Sequence, residues 1–214
     1  MAFAPISRGD GVAEDLDQLL ERPLVRGVRQ LFQDRDESFI LHPDTLEGAR
    51  QVAGAGLVFD ACIRSGQLAA LAEFARRVPG LPIVLDHMGK PPIATGELTA
   101  WRSGMRELAG CDNVVVKISG AGAEADPNRA LAPQALPFIQ ETLNLFGAER
   151  CMFGSDFPVS LTGPDGYLDW TTTVEHAMAG ASEGERSNVA QETAVRVYRL
   201  EVPAEQASPH EEKD

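Results

Sequence analysis

The chain has 214 residues, 43% of them hydrophobic, and a formal charge of −13, which is length enough for one domain with a substantial core. Its acidity argues against nucleic-acid binding, since a phosphate backbone would be repelled over most of the surface, and without an apolar run of about 18 residues a membrane span is excluded. The opening MAFAPISRGDG has neither the basic start nor the long apolar stretch of a signal peptide, so a cytoplasmic protein is expected.

In chain order, the pattern predicts a strand in AFAPI (2–6), a helix in AEDLDQLLER (13–22) and a second strand in VRGVRQLF (25–32). PDTLEGARQVAGAG (43–56) reads as a helix started by Pro43 and Asp44 and stopped by its closing glycines. LVFDACI (57–63) is strand-like. QLAALAEFARRVPG (67–80) is helical, with Leu68, Leu71, Ala72 and Ala75 on one face and Pro79-Gly80 at its end. PIVLDH (82–87) predicts a strand, LTAWRSGMRELAG (98–110) a helix, NVVVKISG (113–120) a strand and ALPFIQETLNLFG (135–147) a helix. CMFGSDF (151–157) is the last predicted strand, and helices follow to about Leu200. Residues 201–214, ending HEEKD and including His210, read as an acidic, flexible tail.

Near-continuous apolar strands alternating with helices imply parallel βαβ units with both sheet faces covered. Six strands fit part of a (β/α) barrel, which closes with eight, or an open flavodoxin-like sheet, and pattern alone leaves both open. In either case the loops at 33–43, 120–134 and 158–170 would lie at the C-terminal ends of the strands, where sites form. Cys62, Cys111 and Cys151 form no CxxC pair and read as small buried hydrophobes in a reducing compartment.

Polar residues at the strand ends carry the functional signal. Alternation groups His87 with Ile83 and Leu85, Lys117 with Val115 and Ser119, and Asp156 with Met152 and Gly154. It also groups Arg29 with Leu31 and Gln33, and Asp60 with Cys62 and Arg64. A charge facing a barrel interior must be paired or used, because unpaired burial is costly, and in a barrel these strand ends converge on one mouth. Asp60, deeper in its strand, reads as a structural ion pair with Arg29 or a neighbour. Asp86, out of phase with His87, reads as support for loop geometry, and His42 and His176 as structural.

The segments Gly27-Val28-Arg29, Phe59-Asp60 with Arg64, Leu85-Asp86-His87-Met88-Gly89-Lys90-Pro91, Lys117-Ile118-Ser119-Gly120 and Met152-Phe153-Gly154-Ser155-Asp156-Phe157-Pro158-Val159 occur in this order. This set resembles the amidohydrolase 2 family of barrel hydrolases, which includes sugar-lactone, pyrone-dicarboxylate and muconolactone-type lactonases. The resemblance runs from the first residues to about Leu200 and implies an α/β chain of the (β/α)8 TIM-barrel type, one partial barrel over 1–200. Family members open with a strand ending in His-x-His and then a second strand. No His-x-His occurs here, so the six predicted strands correspond to strands three to eight, with strands one and two missing.

The resemblance implies a hydrolase that opens a sugar-acid or dicarboxylate lactone, a small and anionic or polyhydroxylated substrate. Asp156 would activate the attacking water as general base, His87 would be catalytic with it, and Arg29, Arg64 and Lys117 would bind substrate. It leaves a divalent metal such as zinc open, with His87 and Asp156 as two ligands where catalytic zinc typically uses three; some lactonases of this group work without metal. Two unpaired sheet edges would call for a covering homo-oligomer. A non-catalytic barrel subunit and a decarboxylase of the same superfamily are the alternative readings.

Overall fold

The computed structural model describes residues 1–162 and 166–201. The expected acidic tail past residue 201, His210 included, and the centre of the expected loop at 158–170 lie outside the described residues. Six strands form one parallel sheet in sequential order: β1 (Ala2–Phe3), β2 (Gly27–Leu31), β3 (Val58–Cys62), β4 (Ile83–Leu85), β5 (Val114–Ile118) and β6 (Cys151–Phe153). That order decides between the two architectures left open by the pattern. A doubly wound sheet reverses its strand order at a switch point, whereas a barrel-type sheet adds each strand beside the last.

The crossovers are helical. In chain order they are α1 (Ala13–Leu20), α2 (Glu37–Ile40), α3 (Pro43–Gly54), α4 (Leu68–Arg77), α5 (Thr99–Ala109), α6 (Ala121–Glu124) and α7 (Leu131–Phe146). After β6 come α8 (Gly166–Ala177), α9 (Glu183–Ser187) and α10 (Thr193–Tyr198). In α3, Pro43 occupies the first turn, where a missing N–H costs nothing, and the His42 side chain accepts from Asp44 N–H. In α4 the expected stripe of Leu68, Leu71, Ala72 and Ala75 is buried. Helix α7 starts at Leu131, ahead of the expected Ala135, because Pro133 falls in its donor-free first turn. No helix among the described residues is long and apolar enough to cross a membrane.

All six strands are shorter than expected, and in β1, β4 and β6 the backbone beyond the strand end is distinctive. β1 stops at Phe3 because Pro5 cannot donate to a ladder, and Ile6–Val12 wind into tight turns. β4 stops at Leu85, since Asp86–Gly89 form a turn in which His87 (φ 55°) and Met88 (φ 52°) are left-handed. β6 stops at Phe153, and Asp156 is left-handed too (φ 51°).

The sheet has two unlike faces. Phe59, Ala61, Ile83, Leu85, Val114, Val116, Ile118 and Cys151 pack outward into the main core with Leu71, Phe74, Trp101, Met105 and Phe138. Val58, Val84 and Met152 point the other way, into a small cluster with Val115, Val197 and Tyr198, so α10 lies against the inner face. All three cysteines are free and buried, as expected.

Candidate active site

The inner face carries charge just above its apolar layer. Two residues on from Val58, Val84 and Val115, the same alternation aims Asp60, Asp86 and Lys117 into the barrel interior. Lys117 Nζ lies 2.9 Å from Asp60 Oδ2 and 2.7 Å from Asp86 Oδ1, and both aspartate side chains are 1% exposed. Arg29, on β2, reaches Asp86 Oδ2 at 3.0 Å. Burial opposes the Lys117 charge, but Asp86 and Asp60 outweigh it and push its pKa upward. Burial raises the Asp60 pKa against the pull of Lys117. The two cations and two carboxylates thus balance, which is the condition for holding such groups out of water.

Beside this cluster stands His87. Its Nδ1 is 2.8 Å from the Ser119 hydroxyl, and its Nε2 faces Arg29 Nη2 at 3.5 Å and Asp156 Oδ1 at 3.7 Å. The ring can lie there because Gly120 has no side chain: a Cβ at Gly120 would come within 2.8 Å of the imidazole. Gly154 does the same for Lys117, whose Cγ would be 2.9 Å from a Cβ there. Burial lowers the His87 pKa despite Asp86 and Asp156, so the ring is neutral at neutral pH. A cavity of about 280 Å³ opens over these groups, lined among others by Arg29, Gln33, Cys62, His87, Lys90, Glu124 and Asp156.

The lowered His87 pKa has a stability consequence. As pH falls below the ordinary histidine value of about 6.5, the unfolded chain takes up a proton before the folded one does. His87 therefore contributes stability that is present above that value and lost as pH falls through its lower folded value. Urea midpoints should drop between about pH 7 and pH 5 more steeply in the wild type than in His87→Gln; equal slopes would refute the assignment.

The structure brings His87, Asp156 and Arg29 together at the cavity, whereas Lys117, expected to bind substrate, is not among its lining residues and bridges Asp60 and Asp86 beside it. Arg64 is not among the cavity's lining residues: its side chain is 57% exposed and pairs with Asp34 at 3.4 Å. Asp60 is in an ion pair, with Lys117 as the partner; Arg29 goes to Asp86 instead. Asp86 does more than support loop geometry. It is the hub between Lys117 and Arg29, and it, not His87, continues the inner face of β4. His87 reaches the site through its left-handed turn, to which strand alternation does not apply. The in-phase signal from Val84 to Asp86 was available in the sequence. Tyr198, whose hydroxyl donates to Asp60 Oδ1 at 2.9 Å, carried no signal at all. His42 caps α3, and His176 sits exposed in the last turn of α8.

A sequentially ordered parallel α/β sheet with a charged cluster at the C-terminal ends of its strands defines the class of TIM-barrel-type enzymes. The chain belongs to the amidohydrolase family of hydrolases, whose model matches residues 1–200. It is 37% identical over 196 residues to an L-fucono-1,5-lactonase from Burkholderia ambifaria, covering 89% of this chain and 67% of that protein. It superimposes on a crystal structure of a Burkholderia multivorans amidohydrolase with bound HEPES at a TM-score of 0.84, with 32% identity, over 91% of this chain and 71% of the other. A second structure of that amidohydrolase, with zinc bound, gives a TM-score of 0.79 at 34% identity, over 86% and 70%. The chain spans about two thirds of the length of the Burkholderia lactonases it matches.

The zinc-bound relative points to a divalent metal as a ligand to test against these residues. Cys62, Asp86 and His87 bring possible ligand atoms within 4.8 Å of one another. Both Asp86 oxygens, however, already face cations, Lys117 at 2.7 Å and Arg29 at 3.0 Å, and burial keeps the Cys62 thiol protonated by raising its pKa. Among the described residues, Glu124 of the same cavity does not join His87 and Asp156 within that distance, which leaves these two, short of the three protein ligands of a catalytic zinc site. The donor set present does not fit a resident dication.

Proposed function

We propose that the chain opens sugar-acid lactones by attack of water on the ring ester. The observation that carries this reading is the approach of His87 Nε2, Arg29 and Asp156 at one cavity. Asp156, as general base, takes a proton from water as its oxygen bonds to the lactone carbonyl carbon. Neutral His87 donates from Nδ1–H to the Ser119 hydroxyl and accepts from Arg29 at Nε2, which holds the guanidinium where its remaining N–H groups and positive charge meet the developing oxyanion. The acyl–oxygen bond then breaks, and the ring oxygen leaves with the proton that Asp156 had taken. The product is a hydroxy acid, which releases one proton to solvent. Lys117 does not face the substrate in this scheme; it holds Asp86, and so Arg29, in place.

The charge around the cavity supports a neutral, polyhydroxylated lactone over a dicarboxylate one. Lys90 is balanced by Glu124 at 4.0 Å, Arg29 by Asp86 and Lys117 by Asp60, which leaves Asp156 as excess negative charge. Two substrate carboxylates would find no free cation among these groups. The relatives named for L-fucono-1,5-lactone and L-rhamnono-gamma-lactone hydrolysis agree with that preference. Assayed by proton release against a panel of lactones, kcat/KM should be at least about tenfold higher for neutral sugar lactones, roughly 1.4 kcal/mol. Glu124→Gln should narrow the gap by improving anionic substrates. A preference for dicarboxylate lactones in the wild type would refute the charge argument.

The same reading makes the six strands the third to eighth of an eight-stranded pattern and residues 1–200 one catalytic unit. The outer edges of β1 and β6, with Phe3 and Phe157 69% and 68% exposed beside them, are without a strand partner among the described residues. We infer that a second copy covers these edges, and we place the protein in the cytoplasm because its three cysteines are unpaired.

A further inference from the structure

We propose that Tyr198, at the end of α10, is a positioning residue for the reaction: its hydroxyl holds Asp60 so that Lys117 bridges Asp60 and Asp86. This rests on the lactonase reading above. Asp60 is buried, and each of its oxygens has one partner in a different element. Oδ1 accepts from Tyr198 at 2.9 Å, and Oδ2 from Lys117 of β5 at 2.9 Å. Asp86, at the end of β4, and Arg29, on β2, are the other charges that act on it. The Tyr198 ring packs in the inner cluster with Val58, Val84 and Met152, and Lys117 Nζ stands 5.8 Å from its centroid, within cation–π range.

The phenol anchors one end of a chain of charges that reaches the imidazole. From Asp60 a path of three ion pairs runs through Lys117 and Asp86 to Arg29, with steps of 2.9, 2.7 and 3.0 Å, and a hydrogen bond of 3.5 Å from Arg29 to His87 Nε2 completes it. Without the phenol, Oδ1 becomes a buried acceptor with no partner, a state that proteins avoid. Asp60 can relieve it only by turning towards Lys117. Lys117 then leaves Asp86, Asp86 draws on Arg29 alone, and the cation beside His87 shifts. Tyr198 does not line the cavity, so the effect should fall on kcat and not on KM.

Tyr198→Phe keeps the ring and removes the donor. Its kcat should fall about tenfold with KM within about twofold of wild type, and in an Asp60→Ala background the same change should cost little more. Replacing Tyr198 with p-aminophenylalanine, which restores a donor, should recover most of kcat. An unchanged kcat in Tyr198→Phe, or an undiminished loss with Asp60→Ala already present, overturns the proposal. Should Tyr198→Phe not fold, the p-amino variant decides: activity near wild type supports the donor role, and a loss like that of an inert ring refutes it. Ultraviolet titration of tyrosine needs no activity. Burial, then Asp60, push the Tyr198 pKa upward, so this phenol should ionise late in the wild type and earlier in Asp60→Ala. An unshifted phenol overturns the contact. A shifted phenol in a chain that hydrolyses no lactone counts against the function reading and leaves the contact standing.

Discussion

Asp156→Asn should lower kcat for lactone hydrolysis by about 10²–10⁴-fold, the range that a positioned general base contributes. The substitution is a clean one. Asp156 has φ 51°, a conformation that asparagine adopts at least as readily as aspartate, so the backbone has no reason to move. Its side chain is 17% exposed and 3.7 Å from His87, so the lost carboxylate does not leave a buried charge behind. KM and the urea midpoint should therefore stay close to wild type while kcat falls. A variant that keeps wild-type kcat would remove Asp156 from the mechanism, and one that loses kcat together with its fold would assign it a structural role.

Lys117→Met should be the most destabilising single change in the site. Met matches the length of the aliphatic stem, so packing is little altered. What disappears is the cation that bridges two carboxylates, each 1% exposed. Breaking a buried pair in this way costs about 3–5 kcal/mol, because it leaves an uncompensated buried charge. Here two carboxylates share the deficit, with Arg29 still on Asp86. Urea or thermal denaturation reads the loss directly. Adding Asp60→Asn to Lys117→Met removes one of the two stranded charges and should return part of the stability. A loss below about 1 kcal/mol in Lys117→Met would place the pair in the weak, solvent-screened class and contradict the account of a buried network.

The alternation of apolar runs and helices made the element order legible, and each strand fell within its expected range. The sheet order was not legible, because six βαβ units satisfy the same local pattern in a barrel or in an open sheet. Only the pairing of each strand with its sequence neighbour separates them. At the site, Lys117 and Asp60 were legible because they lie inside regular strands, where a period of two holds. His87 was grouped with Ile83 and Leu85, which face the helices, and it comes to the inner side through a left-handed turn that no periodicity reports. The same grouping hid Asp86, which is in phase with Val84 and links Lys117 to Arg29. Arg64 shared the parity of Asp60 but lies past the end of β3, where the chain turns outward to Asp34. Tyr198 lies 138 residues from Asp60 along the chain, a contact that local pattern cannot anticipate.

In the proposed reaction these strands assemble a working lactone-opening site from the chain's own side chains. Proton release from a neutral sugar-acid lactone, followed with purified protein in chelator-treated buffer beside Asp156→Asn, tests it most directly. Release should be well above the spontaneous rate for the wild type and near that rate for the variant. Wild-type release no faster than the spontaneous reaction, or equal release by the two proteins, would contradict it.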